Sequence, residues 1–235
     1  MQTLIKNGRV IDPANKVDGF FDVLISGGKI EAVVPHGKIS SSKIKGEKVI
    51  NAKGCVVAPG FCDMHVHFRE PGHEYKETIE TGSASAAAGG FSSVAVMPNT
   101  SPVNDNRSVT ELILSQATKT GLINIYPIGA ITKGLEGETL SDMGELKESG
   151  CIGYSDDGKP VMDSELMRRA LEYSKMFDLP CIQHSEILDL TRGGCMNEGV
   201  VSTELGLKGM PIEAEDIMVF RDICLLRKTG GQLHV

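Results

Sequence analysis

The segment Pro59–Gly72, PGFCDMHVHFREPG, concentrates polar side chains inside an apolar stretch. In an extended strand alternate side chains share a face, which would bring four polar residues together: Asp63, His65, His67 and Arg69. Two imidazoles two residues apart on a strand can converge on one divalent ion. By itself the pair is equally compatible with two histidines that have unrelated partners.

Further metal-binding side chains follow later apolar runs. His184 closes LPCIQH, His234 lies in GQLHV, and Asp156 and Asp157 precede the final glycine of GYSDDG. The carboxyl ends of parallel barrel strands meet at one mouth, so these residues are predicted to join the histidine pair. Four histidines and one carboxylate suit zinc or another borderline divalent ion. Such an ion activates water and polarises a carbonyl, which is hydrolytic chemistry.

The two aspartates leave an ambiguity. Adjacent residues of a strand point to opposite faces, so only one of Asp156 and Asp157 can enter the mouth. The pattern does not choose between them, and Asp-Asp-Gly is also an ordinary turn sequence.

Two residues near strand ends are candidate substrate-binding groups. Arg69 carries a forked donor that matches a carboxylate, and Asn99 offers an amide just beyond the second strand. The alternatives are an arginine paired at the rim and an asparagine in a proline-flanked turn. His36 and His73 lie in predicted loops and are expected to be surface residues.

From Cys55 onward apolar strands alternate with amphipathic helices. The predicted strands are CVVAPGFCDMHVHF, FSSVAVMP, INIYPIGA, CIGYSDD, LPCIQHSE and GGQLHV. This alternation indicates an α/β fold with a parallel sheet. The first strand is not followed by the GxGxxG of a dinucleotide fold, which favours a (β/α)8 TIM barrel. A closed barrel takes about 250 residues, so six strands predict a barrel that is truncated after strand 6.

Two domains are predicted. Residues 1–54 read as short strands and are expected to form part of a small β-sandwich, with residues 55–235 forming the incomplete barrel. Asn7-Gly8 and Gly27-Gly28 have the composition of hairpin turns between strands.

Composition excludes several classes of protein. The 235 residues include 40% hydrophobic and 23% charged side chains, as in a globular protein. The formal charge of −7 disfavours nucleic acid as a partner, and no segment resembles a signal peptide or a membrane span. Six cysteines without a CxxC pair indicate reduced thiols and a cytoplasmic location. Four of the six lie in apolar runs and are expected to be buried.

Together the motifs HVHFREPG, VMPNTSP, SDDG, QHSE and GQLHV resemble the class I, bacterial-type dihydroorotases of the amidohydrolase superfamily. The resemblance implies one or two zinc ions. It assigns His65 and His67 to the first metal, Asp157 as the carboxylate that binds or bridges, and His184 and His234 to the second metal. It also implies a substrate-binding set of His67, Arg69 and Asn99.

The implied reaction is the reversible hydrolysis of the ring amide of (S)-dihydroorotate to N-carbamoyl-L-aspartate by metal-bound hydroxide, a step of pyrimidine biosynthesis. In the family an aspartate after the eighth strand transfers the proton. That aspartate does not occur in these 235 residues, so no catalytic residue is assigned and the chain alone is expected to be inactive. The resemblance also implies a homo-oligomer and aspartate carbamoyltransferase as a further partner.

Two alternatives remain open. Hydantoinases, dihydropyrimidinases and allantoinases share the barrel and the histidine pair, but they usually bridge their metals with a carboxylated lysine where this chain has GYSDDG. A non-catalytic dihydroorotase-like scaffold for aspartate carbamoyltransferase would lack metal ligands, whereas all five expected ligands within this chain are present.

Overall fold

The computed structural model describes residues 2–39 and 47–235, and its contacts separate two units, Met1–Gly60 and Phe61–Val235. The boundary expected from the sequence, after residue 54, lies six residues before this division at Gly60. Val56 and Val57 pair in parallel with Arg9 and Val10, and this pairing keeps them in the first unit. The single strand expected over CVVAPGFCDMHVHF is therefore two strands, separated at Pro59 and Gly60.

The first unit is built on a six-stranded sheet with the order β5-β1-β3-β2-β6 and with β4 also paired to β3. Its strands are β1 (Gln2–Lys6), β2 (Arg9–Asp12), β3 (Val17–Ser26), β4 (Lys29–Pro35), β5 (Glu47–Asn51) and β6 (Val56–Val57). The long β3 is antiparallel to β1, β2 and β4, whereas β5 and β6 are parallel to β1 and β2. Leu4, Val10 and Val23 are buried in this unit.

Only one of the two predicted hairpin turns joins paired strands. Gly27 and Gly28 both have positive φ and connect β3 to β4, which pair directly. Across Asn7-Gly8, β1 and β2 do not pair with each other, because both pair with β3. Close packing explains the glycine at position 8 instead, because a Cβ there would lie 2.7 Å from Cγ2 of Val57.

The second unit alternates parallel strands with helices. Its strands are β7 (Phe61–Val66), β8 (Phe91–Val96), β9 (Asn124–Pro127), β10 (Tyr154–Ser155), β11 (Cys181–Ile182), β12 (Met196–Asn197), β13 (Gly209–Met210) and β14 (Leu233–His234). Parallel pairing gives the orders β7-β8-β9 and β10-β11-β14, and a parallel bridge between Gly129 and Tyr154 links the two groups. The architecture is α/β with a partial barrel.

Seven helices of the described chain belong to this unit: α1 (Ile79–Ala88), α2 (Arg107–Thr120), α3 (Met143–Ser149), α4 (Ser164–Lys175), α5 (Leu188–Thr191), α6 (Val200–Leu205) and α7 (Glu213–Thr229). Asp163 caps α4 by accepting from the Leu166 N–H, and Gly121 and Gly230 end α2 and α7 in the left-handed conformation. The helices α3, α5 and α6 and the small β12-β13 pair were not predicted.

Two apolar clusters hold the helices against the strands. One includes Phe68, Val94 and Ile113, and the other includes Leu146 and Tyr154. Small residues on α1 permit close packing, since a Cβ at Gly82 would lie 2.5 Å from the Phe68 ring.

The cysteines are all free, but fewer are buried than expected. Cys151 and Cys181 are buried, whereas the remaining four are exposed: Cys55, Cys62, Cys195 and Cys224. Cys62 lies on β7, an outer strand of its group, where an apolar sequence does not guarantee cover. Among residues 2–39 and 47–235, no helix is both long and apolar enough to cross a membrane.

Candidate metal centre

The predicted metal-binding side chains all lie at the carboxyl ends of parallel strands. His65 is near the end of β7 and His67 follows that strand. Asp157 comes two residues after β10, His184 two residues after β11, and His234 ends β14. Because parallel strands end at one edge of the sheet, this pattern brings distant parts of the chain to one side of the fold.

Three of these side chains form a compact group of potential ligand atoms: His65, His67 and Asp157. His65 Nε2 lies 3.2 Å from Asp157 Oδ1, and His67 Nε2 lies 3.3 Å from Asp157 Oδ2. All three ligand atoms lie within 4.8 Å of one another. The carboxylate thus faces both imidazoles of the histidine pair.

Asn99 determines which nitrogen of His67 carries the proton. The Asn99 amide donates to Asp157 Oδ2 at 3.2 Å, which leaves its Oδ1 as an acceptor 3.0 Å from His67 Nδ1. His67 Nδ1 therefore donates to Asn99, and this hydrogen bond directs Nε2 of the ring towards the carboxylate.

This arrangement fits a divalent cation. An imidazole lone pair and a carboxylate oxygen 3.3 Å apart repel each other unless a ring proton or a metal cation neutralises the contact. Histidine nitrogen and carboxylate oxygen are the donors that zinc and similar ions take. The hydrogen bond from the second ring nitrogen to Asn99 is the orienting contact that metal-binding histidines commonly make.

The structure separates the two neighbouring aspartates. Asp157 faces the histidines, whereas Asp156 is buried and accepts hydrogen bonds from the backbone N–H and the hydroxyl of Thr132. Burial raises the pKa of Asp156 despite those hydrogen bonds. Asp156 therefore holds the loop that contains Thr132 and does not contact His65 or His67.

Asp157 is 8% exposed and remains the charged centre of the group. Burial acts to raise its pKa, but its contact with His184 and the charges of His65 and His67 outweigh burial and hold the pKa below its usual value. A buried carboxylate kept ionised among imidazoles is a suitable site for a cation.

His184 extends the group on the side of β11. Its Nδ1 lies 3.8 Å from Asp157 Oδ1, and its Nε2 lies 3.1 Å from Glu186 Oε2. The contact with Asp157, aided by Glu186, raises the pKa of His184. Glu186 also accepts a hydrogen bond from Thr191, and this hydrogen bond is the main reason that the pKa of Glu186 is lowered.

His234 lies beside the group but outside its compact part. It lines a cavity of about 200 Å³ together with His65, Asp157 and His184. Its backbone carbonyl accepts a hydrogen bond from the Gln183 N–H at 2.9 Å. His234 therefore lies at the same cavity as the other predicted ligands.

The remaining predicted site residues take different positions. Arg69 has a φ of +59°, and its guanidinium forms no hydrogen bond or ion pair with any residue in the described ranges. Asp63, expected to share the metal-facing side of β7, accepts a hydrogen bond from the His65 backbone N–H. His36 pairs with the buried carboxylate of Asp22 in the first unit, and His73 stacks edge to face with Tyr75.

Sequence reasoning missed two residues: Glu186, which contacts His184, and Asp222, which contacts Gln183. Glu186 was visible in the QHSE motif, two residues after a predicted ligand. Asp222 carried a weaker signal: it lies on the buried side of α7 with Ala214 and Met218, where a carboxylate is unexpected.

Residues 54–235 match the protein family described as "Dihydro-orotase-like". Over all 235 residues the chain is 53% identical to a curated dihydroorotase from Geobacter metallireducens, covering 54% of that relative. It is 52% identical to a curated dihydroorotase from Syntrophus aciditrophicus, again covering 54% of the relative. The chain thus spans about half the length of the curated relatives it matches.

Solved structures of hydantoinases share the fold. The L-hydantoinase (dihydropyrimidinase) from Arthrobacter aurescens has a TM-score of 0.75 at 18% identity, covering 98% of this chain and 51% of that chain. The D-hydantoinase (dihydropyrimidinase) from a Thermus species has a TM-score of 0.70 at 24% identity, with the same coverage. These similarities show that the chain has the α/β fold of those structures. With a family match that extends from residue 54 to residue 235, the chain belongs to the dihydroorotase-like family.

Proposed function

We propose that this chain supplies the metal-binding and substrate-binding residues of a dihydroorotase. The reaction is the reversible hydrolysis of the ring amide of (S)-dihydroorotate to N-carbamoyl-L-aspartate. The observation that carries this proposal is the contact of one buried carboxylate, Asp157, with both imidazoles of the His65 and His67 pair. The identity of about half to curated dihydroorotases supports the choice of substrate.

The proposed metal set is His65, His67 and Asp157, with His184 and His234 completing a second position. A divalent ion held there would supply Lewis-acid activation for amide hydrolysis. Other residues of the chain would orient the rings of its ligands. Asn99 fixes the His67 ring, and Glu186 holds Nε2 of His184.

Arg69 is proposed to bind the substrate carboxylate. Its guanidinium has no partner in the described ranges, and its forked donors match a carboxylate. Asn99 has less freedom, because its amide already contacts both His67 and Asp157. To donate a hydrogen bond to the substrate carboxylate, the Asn99 amide would have to give up its hydrogen bond to Asp157. Orienting His67 is therefore its better supported role.

Further features of the proposal follow from the family. We expect the strands β7, β8, β9, β10, β11 and β14 to be the first six of a (β/α)8 barrel, with residues 1–54 as part of a small β domain. Zinc, as one or two ions, is the expected metal. A homo-oligomer, an association with aspartate carbamoyltransferase and a cytoplasmic location are also proposed.

The two alternatives are less well supported. A hydantoinase-type enzyme would usually have a carboxylated lysine at the carboxylate position, but the side chain that faces both histidines is Asp157. A scaffold without metal would not need a carboxylate kept ionised among imidazoles.

A substrate panel tests the proposal. A form of the protein that reaches the length of its relatives is assayed with dihydroorotate, hydantoin and allantoin, before and after a chelator. We expect turnover of dihydroorotate that the chelator abolishes and added zinc restores. Turnover of hydantoin alone would overturn the assignment, and a form that binds no divalent ion would favour the scaffold.

A further inference from the structure

Gln183, directly before His184, is a buried polar residue that metal binding does not explain. It is 5% exposed, and its side chain contacts Met218 on α7. Its Nε2 donates to Asp222 Oδ2 at 3.0 Å, and its Oε1 accepts from the Val161 backbone N–H at 3.2 Å. Both ends of the amide are therefore fixed.

Asp222, the partner of Gln183, is a completely buried carboxylate on α7. Its second oxygen pairs with the neighbouring Arg221 guanidinium at 2.7 Å. Arg221 in turn donates to the backbone carbonyls of Met162 at 2.8 Å and Val161 at 2.9 Å. Each side-chain nitrogen and oxygen of Gln183, Asp222 and Arg221 has at least one protein partner.

The network joins the backbone of all three chain segments that bring ligands from β10, β11 and β14. Val161 and Met162 lie in the segment between Asp157 and α4. Gln183 precedes His184, and its backbone N–H donates to the His234 carbonyl at 2.9 Å. One hydrogen-bond network thus connects the parts of the chain that carry Asp157, His184 and His234.

A buried ion pair is a costly way to fill a core, because desolvation offsets most of its attraction and apolar residues pack at least as well. Such a pair fixes geometry, because charged and amide partners are held at defined distances and angles. Metal ligands need such definition, and groups outside the ligand set commonly supply it.

We propose that Asp222 is a positioning residue that acts through Gln183 and Arg221. It sets the spacing of the strand ends that carry Asp157, His184 and His234, and so the affinity of this site for a divalent ion. The inference rests on the proposed metal site and adds a residue to it that makes no contact with the metal.

The test measures Co²⁺ binding to the 235-residue chain by equilibrium dialysis, together with thermal unfolding. The D222N variant keeps the size of the side chain but offers one oxygen where Gln183 and Arg221 need two acceptors. We expect its affinity for Co²⁺ to fall about 10- to 100-fold, as for other groups that orient ligands.

Two further variants separate positioning from stability. Q183E alone sets two carboxylates against each other, whereas Q183E/D222N restores a donor and an acceptor with their direction reversed and is expected to recover most of the affinity. D22N, which alters a buried carboxylate of the first unit, is the matched control and should leave Co²⁺ affinity unchanged. If D222N does not fold, R221K replaces it, because it keeps the charge and loses the fork that holds Val161 and Met162.

Amide hydrogen exchange gives a readout that needs no metal. We expect the amide protons of Gln183 and Val161 to exchange faster in D222N than in the unmodified chain, and at an unchanged rate in D22N. An unmodified chain that binds no Co²⁺ would contradict the proposed function, and exchange alone would then decide this inference. The inference would be overturned if the amides of Gln183 and Val161 exchange at the same rates in D222N as in the unmodified chain. It would also be overturned if D222N binds Co²⁺ as tightly as the unmodified chain, or if Q183E/D222N does not recover the lost affinity.

Discussion

Each unit of the molecule contains a buried aspartate beside histidine, and the two sites differ in how many partners the carboxylate has. Asp22 in the first unit is 1% exposed and accepts from His36 Nδ1 at 2.9 Å and from the Gly37 N–H at 2.8 Å. Asp157 in the second unit faces three imidazoles and an asparagine amide.

The difference distinguishes a carboxylate with a structural role from a carboxylate suited to bind a cation. Asp22 has one ring donor and one backbone donor, and the two satisfy it locally. At Asp157 several lone-pair donors converge on the same small volume, an arrangement that a cation stabilises. A histidine beside a buried carboxylate is therefore weak evidence for a metal site, whereas several on one carboxylate are strong evidence.

Replacing Asp157 should have the largest effect on metal binding. For D157A we expect Co²⁺ affinity to fall by at least about 100-fold, because loss of a ligand exceeds the 10- to 100-fold cost of losing an orienting group. Equilibrium dialysis measures the change. If D157A binds as tightly as the unmodified chain, Asp157 is not a ligand and the distinction between the two carboxylates fails.

Replacing Asn99 should have an intermediate effect. N99A removes the acceptor that fixes the His67 tautomer, and we expect a loss of Co²⁺ affinity of about 10- to 100-fold. N106A, which changes the asparagine that caps α2, serves as the control and should alter stability without altering affinity. Unchanged affinity in N99A would leave Asn99 with substrate binding as its remaining proposed role.

Replacing Asp22 should change stability and leave metal binding intact. D22A leaves the Gly37 N–H and the His36 ring without their acceptor, so we expect the free energy of unfolding in urea to fall by about 1–3 kcal/mol. The affinity for Co²⁺ should stay that of the unmodified chain. A loss of affinity in D22A would mean that the first unit also contributes to metal binding.

The smallest expected effect concerns the buried thiols of the second unit. Burial raises the pKa of Cys151 to about 11 and that of Cys181 to about 12, so both should stay protonated at pH 8. A thiol reagent should label four cysteines in the native chain and all six in urea. Rapid native labelling of Cys181, on β11, would show that the strand leading to His184 opens to water.

The strand ends that bear histidine were predictable because strand alternation and helix-ending glycines are local signals. Asp157 could not be distinguished from Asp156, since that choice depends on Thr132 from a different loop. The division of the first predicted strand at Pro59 and Gly60 also depends on distant pairing, here of Val57 with Val10.

The network around Asp222 was beyond prediction for the same reason. Its partners come from α7, β11 and the loop before α4, and only the folded chain brings them together. Asp222 itself could have been noticed as a charge on the buried side of a helix, but such a position does not indicate its partner.

The most direct test of the account is the effect of Co²⁺ on the unfolding of the unmodified chain and of D157A and D22A. A ligand at 100 times its Kd stabilises the native state by about 2.7 kcal/mol. We predict that Co²⁺ at that concentration stabilises the unmodified chain and D22A by this amount. It should stabilise D157A, whose Kd is expected to be at least about 100-fold higher, by no more than about 0.4 kcal/mol. Equal stabilisation of D157A, or none of the unmodified chain, would contradict the claim that Asp157 and its histidines form a metal site.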